Sequence, residues 1–544
     1  MTALADAMRP RPLPRVLLAA FLSVLVLAAL AAHGSARSWW EDAVFYEIFV
    51  RSFYDSDGDG IGDLDGLIEK LDYLNDGDPT TGDDLGVNAL WLMPICESPS
   101  YHGYDVVDYY SVEPDYGDLS TFRRLLDEAH ARGIRVIVDL VLNHSSSKHP
   151  WFLSAKRRAS AYRDWYLWES RDPGFLGPWG QTVWHWTLNG YYYGLFWGGM
   201  PDLNYRNPEV TAEMHDVIRF WLDDVGVDGF RLDAVKHLIE DGAQQENTPE
   251  THRWLQEMRG VVHAANAEAL LVGEVWDEPE AIAPYLDDGL DLCFEFSLAE
   301  AMLSSVASGS PDRLVSAMAR VGTVYEGRSV ATFLANHDQD RVMSRLGEDV
   351  EAAKLCAALL LTLPGTPFLY YGEEIGMVGA GPHERIRTPM QWSSGAHAGF
   401  SPTAPWEPLA EGHATVNVEA QSDHEASLLS RYRELIGHRL ATAALRSPEI
   451  ALLDTGARSD QIVSYVRWTG DQTVIVVANL SWEEARPIFV SLPGGLLSTG
   501  PTVAIDLLDA RGARIELMRS GERLRLPATD ARTVRILLID GDEA

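Results

Sequence analysis

The sequence predicts an α/β fold: a (β/α)8 TIM barrel with a subdomain inserted after strand three and a C-terminal antiparallel β-sandwich. Three observations carry that expectation. Between residues 39 and 441, short apolar or β-branched runs alternate with segments of helical period, giving eight strand–helix units. One stretch, 142–208, interrupts the alternation with no sustained helical period and is rich in Trp, Tyr, Gly and Ser. Beyond Glu449 only strand-like runs remain, separated by Gly, Pro and Asp.

The elements follow in order. Residues 43–50 read as strand one and 64–74 as helix one. Residues 88–93 form strand two, 119–132 helix two and 134–140 strand three. A connection as long as 142–208 inside a compact unit points to a functional subdomain. Alternation resumes with helix three at 209–225 and strand four at 227–232. Strands five, six and seven are expected at 270–275, 290–296 and 329–335. A helix over 351–363 precedes strand eight at 367–370, and a last helix covers 426–441. The sandwich strands are expected at 461–468, 472–479, 486–492, 502–506, 523–526 and 533–538. The implied division is a leader over 1–36, barrel over 37–142 and 209–445, insert over 143–208 and sandwich over 446–544.

Composition narrows the partners. A net charge of −36 and a pI near 4.7 disfavour nucleic acid and anionic membrane surfaces, which bind basic patches. Lysine occurs only at positions 70, 148, 156, 236 and 354, so Lys236, which lies inside a motif, stands out. Cys96, Cys293 and Cys356 have no metal-ligand or disulfide-framework spacing and read as buried free thiols. At the N-terminus, Arg9, Arg11 and Arg15 precede an apolar run over 16–32 and then small residues. That is the layout of a secretory signal, with an uncleaved anchor as the alternative. Both place the remainder in a secreted or periplasmic setting. No nucleic-acid or stable membrane partner is expected, and the chain is expected to act as a monomer.

Four apolar runs end in polar groups: DLVLNH at 139–144, GFRLDAVKH at 229–237, GEVW at 273–276 and FLANHD at 333–338. Parallel barrels carry their chemistry at the C-terminal ends of their strands, so Asp233, Glu274 and Asp338 can share one mouth. Arg231 and Asp233 are two apart on strand four and point to one face. A guanidinium there is expected to lower the Asp233 pKa, whereas a drier Glu274 beside another carboxylate is expected to stay protonated. Three carboxylates with an arginine, histidines and aromatics suit glycoside chemistry.

At these residues the chain resembles the α-amylase family, glycoside hydrolase family 13, over nearly all of its length from Trp39, in the branch between oligo-1,6-glucosidases and neopullulanases. The resemblance implies that Asp233 is the nucleophile, Glu274 the general acid/base and Asp338 the carboxylate that steadies the transition state. It implies that Arg231 keeps Asp233 ionised and that His144 and His337 bind hydroxyls of the sugar being cleaved. It further implies that Tyr104 stacks on that sugar with His102 nearby, and that Lys236 and His237 flank the leaving group. Taken one at a time, the insert aromatics Trp184, Trp186, Tyr191, Tyr192, Tyr193, Phe196 and Trp197 read as packing rather than as sugar platforms.

The segment from Asp55 through Asp57, Asp59 and Ile61 to Asp63 alternates carboxylates with small residues. Oxygen donors at that spacing, with the Ile61 carbonyl at position seven, suit a structural Ca²⁺. The loop is no EF-hand, because Gly66 stands at position twelve and a strand precedes it. The resemblance implies a second Ca²⁺ site from Asn143, Asp202 and the His237 carbonyl.

The insert ends in MPDLN at 200–204, and YHGYDV runs from 101 to 106. Tyr-His at 101–102 leaves room for a longer chain, where strict exo-glucosidases of the family carry charged residues. The expected activity is internal α-1,4 cleavage of starch and maltooligosaccharides, that of an α-amylase. The alternatives are an α-glucosidase or neopullulanase-like hydrolase, a trehalose-forming maltose glucosyltransferase, or a non-catalytic sugar-binding or transporter-partner ectodomain, which retention of all three acids disfavours.

Overall fold

A run of residues buried on both faces has no solvent side, so it packs as a parallel strand covered by helices. Eight such runs build the centre of the protein. The computed structural model describes residues 37–539 apart from 459, 495, 497–501, 510 and 521–522. The proposed leader, 1–36, lies outside the described residues. The barrel strands are β1 (Phe45–Ile48), β2 (Ala89–Leu92), β3 (Arg135–Leu140), β4 (Gly229–Leu232), β5 (Leu270–Gly273), β6 (Leu292–Cys293), β7 (Ala331–Phe333) and β8 (Thr366–Tyr370). They pair in parallel in the order β6-β5-β4-β3-β2-β1-β8-β7. A single parallel bridge, Phe294 to Ala331, joins β6 to β7 and closes the ring.

A cluster of aromatic side chains packs at the centre of the ring. Phe45 stacks on Phe368 at 4.2 Å, and Phe294 packs against Phe368 at 5.0 Å and Trp91 at 5.3 Å. This plug fills the barrel and forms the dry floor on which the polar residues sit.

Helices cover the outside through apolar stripes. Leu119–Ala131 buries Phe122, Leu125, Leu126 and Ala129, spaced three and four apart, and Asp118 caps its N-terminus by accepting from the Ser120 and Thr121 amides. Two expected helices differ from a single α-helix. The 64–74 segment is two helices, Leu64–Glu69 and Leu71–Leu74, because Lys70 leaves helical geometry at φ −103°, ψ 4°. The helix beginning at Pro208 changes to π-helical bonding over Phe220–Val225 and stops at Gly226, which adopts φ 98°. Strand six, expected over seven residues, has only two.

The insert carries the helix Pro150–Ala155 and a three-stranded antiparallel sheet of Trp168–Glu169, Gly190–Tyr193 and Trp184–Thr187. After Glu449 come two antiparallel sheets, one of six strands between Ile450 and Ile539 and one of three. Ile475, Val477 and Leu537 from the first sheet meet Ile488, Leu524 and Leu526 from the second, so the sheets stack as a sandwich. Strands Ile450–Leu452, Arg514–Leu517 and Arg519–Ser520 add to those expected. The sandwich rests on the barrel helix Val350–Thr362, where the Tyr465 hydroxyl lies 2.6 Å from Thr362 Oγ1. The three cysteines are free and buried. Among the described residues no helix is long and apolar enough to cross a membrane.

Candidate active site

Arg231 organises the mouth of the barrel. It lies on β4, directly above the aromatic plug, and its side chain is wholly buried. Its guanidinium carbon lies 5.2 Å from the Trp91 ring centre. Nη1 donates to both carboxylate oxygens of Asp139 at 2.9 Å and to Asp233 Oδ1 at 2.8 Å. Nη2 lies 2.8 Å from Glu274 Oε2. One cation therefore gathers carboxylates from the ends of β3, β4 and β5.

Asp233 and Glu274 are held by the ladder itself. The Asp233 amide donates to the Leu140 carbonyl and the Glu274 amide to the Leu232 carbonyl. Past Asp233 the chain turns at Ala234, which adopts φ 47°, ψ 36°. A non-glycine residue in that left-handed region costs about 1–2 kcal/mol. The Ala234 amide donates to Glu274 Oε2 at 3.0 Å, which ties the strained turn to the acid.

Asp338 enters from the loop after β7. His337 Nε2 lies 3.1 Å from Asp338 Oδ2, and Arg387 Nη2 donates to Oδ1 at 2.7 Å. Arg387 also donates from Nε to the His337 carbonyl at 2.8 Å. The Tyr104 hydroxyl lies 2.6 Å from His337 Nε2 and donates to Asp139 Oδ2 at 3.0 Å. Its ring lies nearly parallel to the His337 ring.

These contacts set the charges. Burial pushes Glu274 up, Arg231 opposes it, and the nearby Asp233 and Asp338 add to the rise. Burial also pushes Asp233 up, and the Arg231 contact counters without overcoming it. That corrects the expectation of a lowered Asp233: the arginine is shared among three carboxylates, and the site is dry. Asp139 rises to about 7 by burial, again against Arg231. Asp338 goes the other way, because His337 and Arg387 together outweigh its burial.

The space above is a cavity of about 650 Å³. His102, Tyr104, His144, Asp233, Lys236, His237, Glu274 and Asp338 all line it, with Arg231 and His337 in contact with the lining acids. All ten residues expected around the substrate thus meet at one mouth. Burial lowers His144 and His102 to about 4, so both rings are neutral at pH 7. Lys236 is drawn to the Trp276 carbonyl at 2.9 Å and to Glu246 at 3.0 Å. Trp179, Trp197 and Trp276 rim the cavity and are about half exposed. Glu47, Asp139, His383, Arg387 and Trp179 also belong to this mouth and were not among the residues expected there. Asp139 and Glu47 had a visible signal, an acid at the end of a buried strand, whereas Arg387 sits in a loop with no periodicity.

Two groups of oxygen donors have metal character. Ligand oxygens of Asp55, Asp57 and Asp63 lie within 4.8 Å of one another. Asp59 is not in that set; its Oδ1 accepts from the Ile61 amide at 2.8 Å. Asp63 also caps the helix starting at Leu64 by accepting from the Gly66 amide. Where the insert meets the barrel, Asn143 Nδ2 donates to Asp202 at 3.1 Å, while Asn143 Oδ1 and Glu240 Oε1 are buried without a hydrogen-bond partner. Burial and then the nearby Glu240 push Asp202 up, and burial takes Glu240 to about 7. Unpaired hard oxygen donors at the second place, and three converging carboxylates that already accept backbone amides at the first, are donor sets of the kind Ca²⁺ takes.

A closed (β/α)8 barrel with three acids and a shared arginine at its C-terminal mouth defines a glycosidase of the barrel class. The α-amylase catalytic-domain model matches residues 47–447. Alpha-amylase 3 of Dictyoglomus thermophilum is 39% identical over 85% of this chain and 89% of that protein. A trehalose synthase/amylase of Mycolicibacterium smegmatis is 36% identical over 79% of this chain and 80% of its own length. The crystal structure of an alpha-amylase from H. orenii superposes with a TM-score of 0.81 at 42% identity, covering 92% of this chain and 99% of that one. The chain belongs to the α-amylase family, glycoside hydrolase family 13, and is an enzyme acting on α-glucosides.

Proposed function

We propose that this protein is a retaining α-amylase that cleaves internal α-1,4 bonds of starch and maltooligosaccharides. The observation that carries the retaining mechanism is the sharing of Arg231 between Asp233 and Glu274. Retention needs the two carboxyls only about 5–5.5 Å apart, and a common guanidinium supports that short spacing. In the first step Glu274 gives its proton to the glycosidic oxygen while an ionised Asp233 attacks the anomeric carbon, forming a glucosyl–Asp233 ester. In the second, Glu274 takes a proton from water, which displaces Asp233. Asp338, kept anionic by His337 and Arg387, accepts hydroxyl hydrogen bonds that strengthen as the sugar ring flattens. His144 and His102, both neutral, contact hydroxyls, and Tyr104 faces the ring.

Internal cleavage rests on the identity of the residues at the mouth, where Tyr101 and His102 are themselves uncharged side chains at pH 7. A second reading, an α-glucosidase or trehalose-forming enzyme, draws support from Arg387 and His383, which also line the cavity. Product analysis from soluble starch, maltose, pullulan and cyclodextrin separates the two. The amylase reading expects maltooligosaccharides from starch early in the reaction; glucose alone, or trehalose from maltose, overturns it.

The proposal extends to structural Ca²⁺ held by Asp55, Asp57, Asp63 and the neighbouring Asp59 and Ile61 carbonyl, with a second ion at Asn143, Asp202 and the His237 carbonyl. It also includes export directed by 1–36 and action as a monomer, with 37–142 and 209–445 as the catalytic barrel, 143–208 as the insert and 446–544 as the sandwich.

A further inference from the structure

Glu47 stands in the middle of β1, a strand whose four residues are all buried, and is 1% exposed. A carboxylate in such a place is costly unless paired. Period-two geometry puts it on the inner face with Phe45, one layer above the aromatic plug. Its partner is the fully buried His337: Glu47 Oε1 is hydrogen-bonded to Nδ1 of that ring. The other ring nitrogen, Nε2, faces the Tyr104 hydroxyl and Asp338 Oδ2.

We propose that Glu47 is a positioning residue, which holds the His337 ring protonated on both nitrogens and turned so that Nε2–H binds Asp338. A carboxylate at each nitrogen makes both of them donors, which is the imidazolium form. The groups facing the ring are Glu47 from β1, Trp91 from β2, Asp139 and Tyr104, Asp233 beyond β4, Asp338 from its own loop, and Arg387 and His383 after β8. Of these, Glu47 and Asp338 are the two anions in contact with ring nitrogens. Burial alone would lower His337; these two acids overcome it and raise the ring to about 9. Glu47 thereby sets the charge opposite Asp338 from the far side of an imidazole, without reaching the cavity.

The kinetic part of this inference rests on the glycosidase reading, and the spectroscopic part does not. Nitrogen-15 histidine spectra, assigned with His337→Asn, read the ring directly in the full-length protein. Wild type is expected to keep His337 doubly protonated through pH 8. In Glu47→Gln, which keeps an acceptor but removes the charge, its titration midpoint is expected to fall by about one pH unit or more. The kcat/KM on maltooligosaccharides is expected to fall about tenfold or more, with Glu47→Asp recovering part of both effects. A midpoint within about 0.3 unit of wild type overturns the proposal, whatever the activity. A shifted midpoint with unchanged kcat/KM overturns the positioning role. Where Glu47→Gln does not fold, Glu47→Asp is read alone: a lowered midpoint supports the proposal and an unmoved one overturns it.

Discussion

Arg231 and Glu274 meet at 2.8 Å, Nη2 to Oε2, while the same guanidinium holds Asp233 through Nη1. The two carboxylates thus flank one planar cation, Asp233 as a hydrogen-bond acceptor and Glu274 as an ion-pair partner. Lysine offers a point charge and no fork. Arg231→Lys is therefore expected to cut kcat by about 100-fold or more with the fold retained, measured on maltooligosaccharides alongside circular dichroism. A loss below tenfold would show that the fork is dispensable.

Asp233→Asn and Glu274→Gln remove the groups assigned to bond making and proton transfer. Each is expected to cost about 10³–10⁵ in kcat/KM on starch. The two separate on an aryl maltoside with a good leaving group, which departs without a proton. There the first step of Glu274→Gln is expected to be nearly wild type, read as a burst of phenol, and Asp233→Asn to remain inactive. Equal loss on both substrates would contradict the division of roles.

The pH profile has a definite sign. Glu274 must carry a proton, and its pKa lies above the ordinary 4.5 through burial with Asp233 and Asp338 adding to it. Activity is therefore lost as pH rises through that raised value. Asp338→Asn removes one like charge, so the residual activity should lose its alkaline limb at lower pH than wild type. Steady-state kinetics from pH 4 to 9 checks this, and an alkaline limb that moves upward contradicts it.

Removal of Ca²⁺ should unfold the protein at lower temperature. An ion bound only by the native state stabilises by about 2.7 kcal/mol at 100 times its Kd. Chelation is expected to lower Tm and added Ca²⁺ to restore it, with Asp55→Asn abolishing part of the difference. A Tm indifferent to chelator, with no bound Ca²⁺ by elemental analysis, would remove the ion from both sites.

Much of this was legible before any coordinates. The barrel strands announced themselves because burial on both faces leaves unbroken apolar runs, and Asp233, Glu274 and Asp338 each follow such a run by one to five residues. The insert sheet was hidden because Trp, Tyr and Gly occupy both of its faces, which erases alternation across 184–193. The break at Lys70 and the π-helical turn at Phe220 leave no mark on hydrophobic period. At the site, Arg387 was invisible because its role depends on a loop folding back 49 residues to meet Asp338. The direction of the Asp233 shift was also out of reach, since spacing reveals a neighbouring cation but not how many acids share it.

The closure of the ring through one bridge at Phe294 and Ala331 has a mechanical outcome. Nucleophile and acid hang from β4 and β5, which are stitched over four residue pairs. Asp338 hangs from β7, joined to β6 by the bond from the Glu295 amide to the Ala331 carbonyl. The seam between β6 and β7 is therefore the thinnest in the ring, although β7 is laced to β8 over three pairs, and amide exchange is expected to be faster at that seam than along β4 and β5.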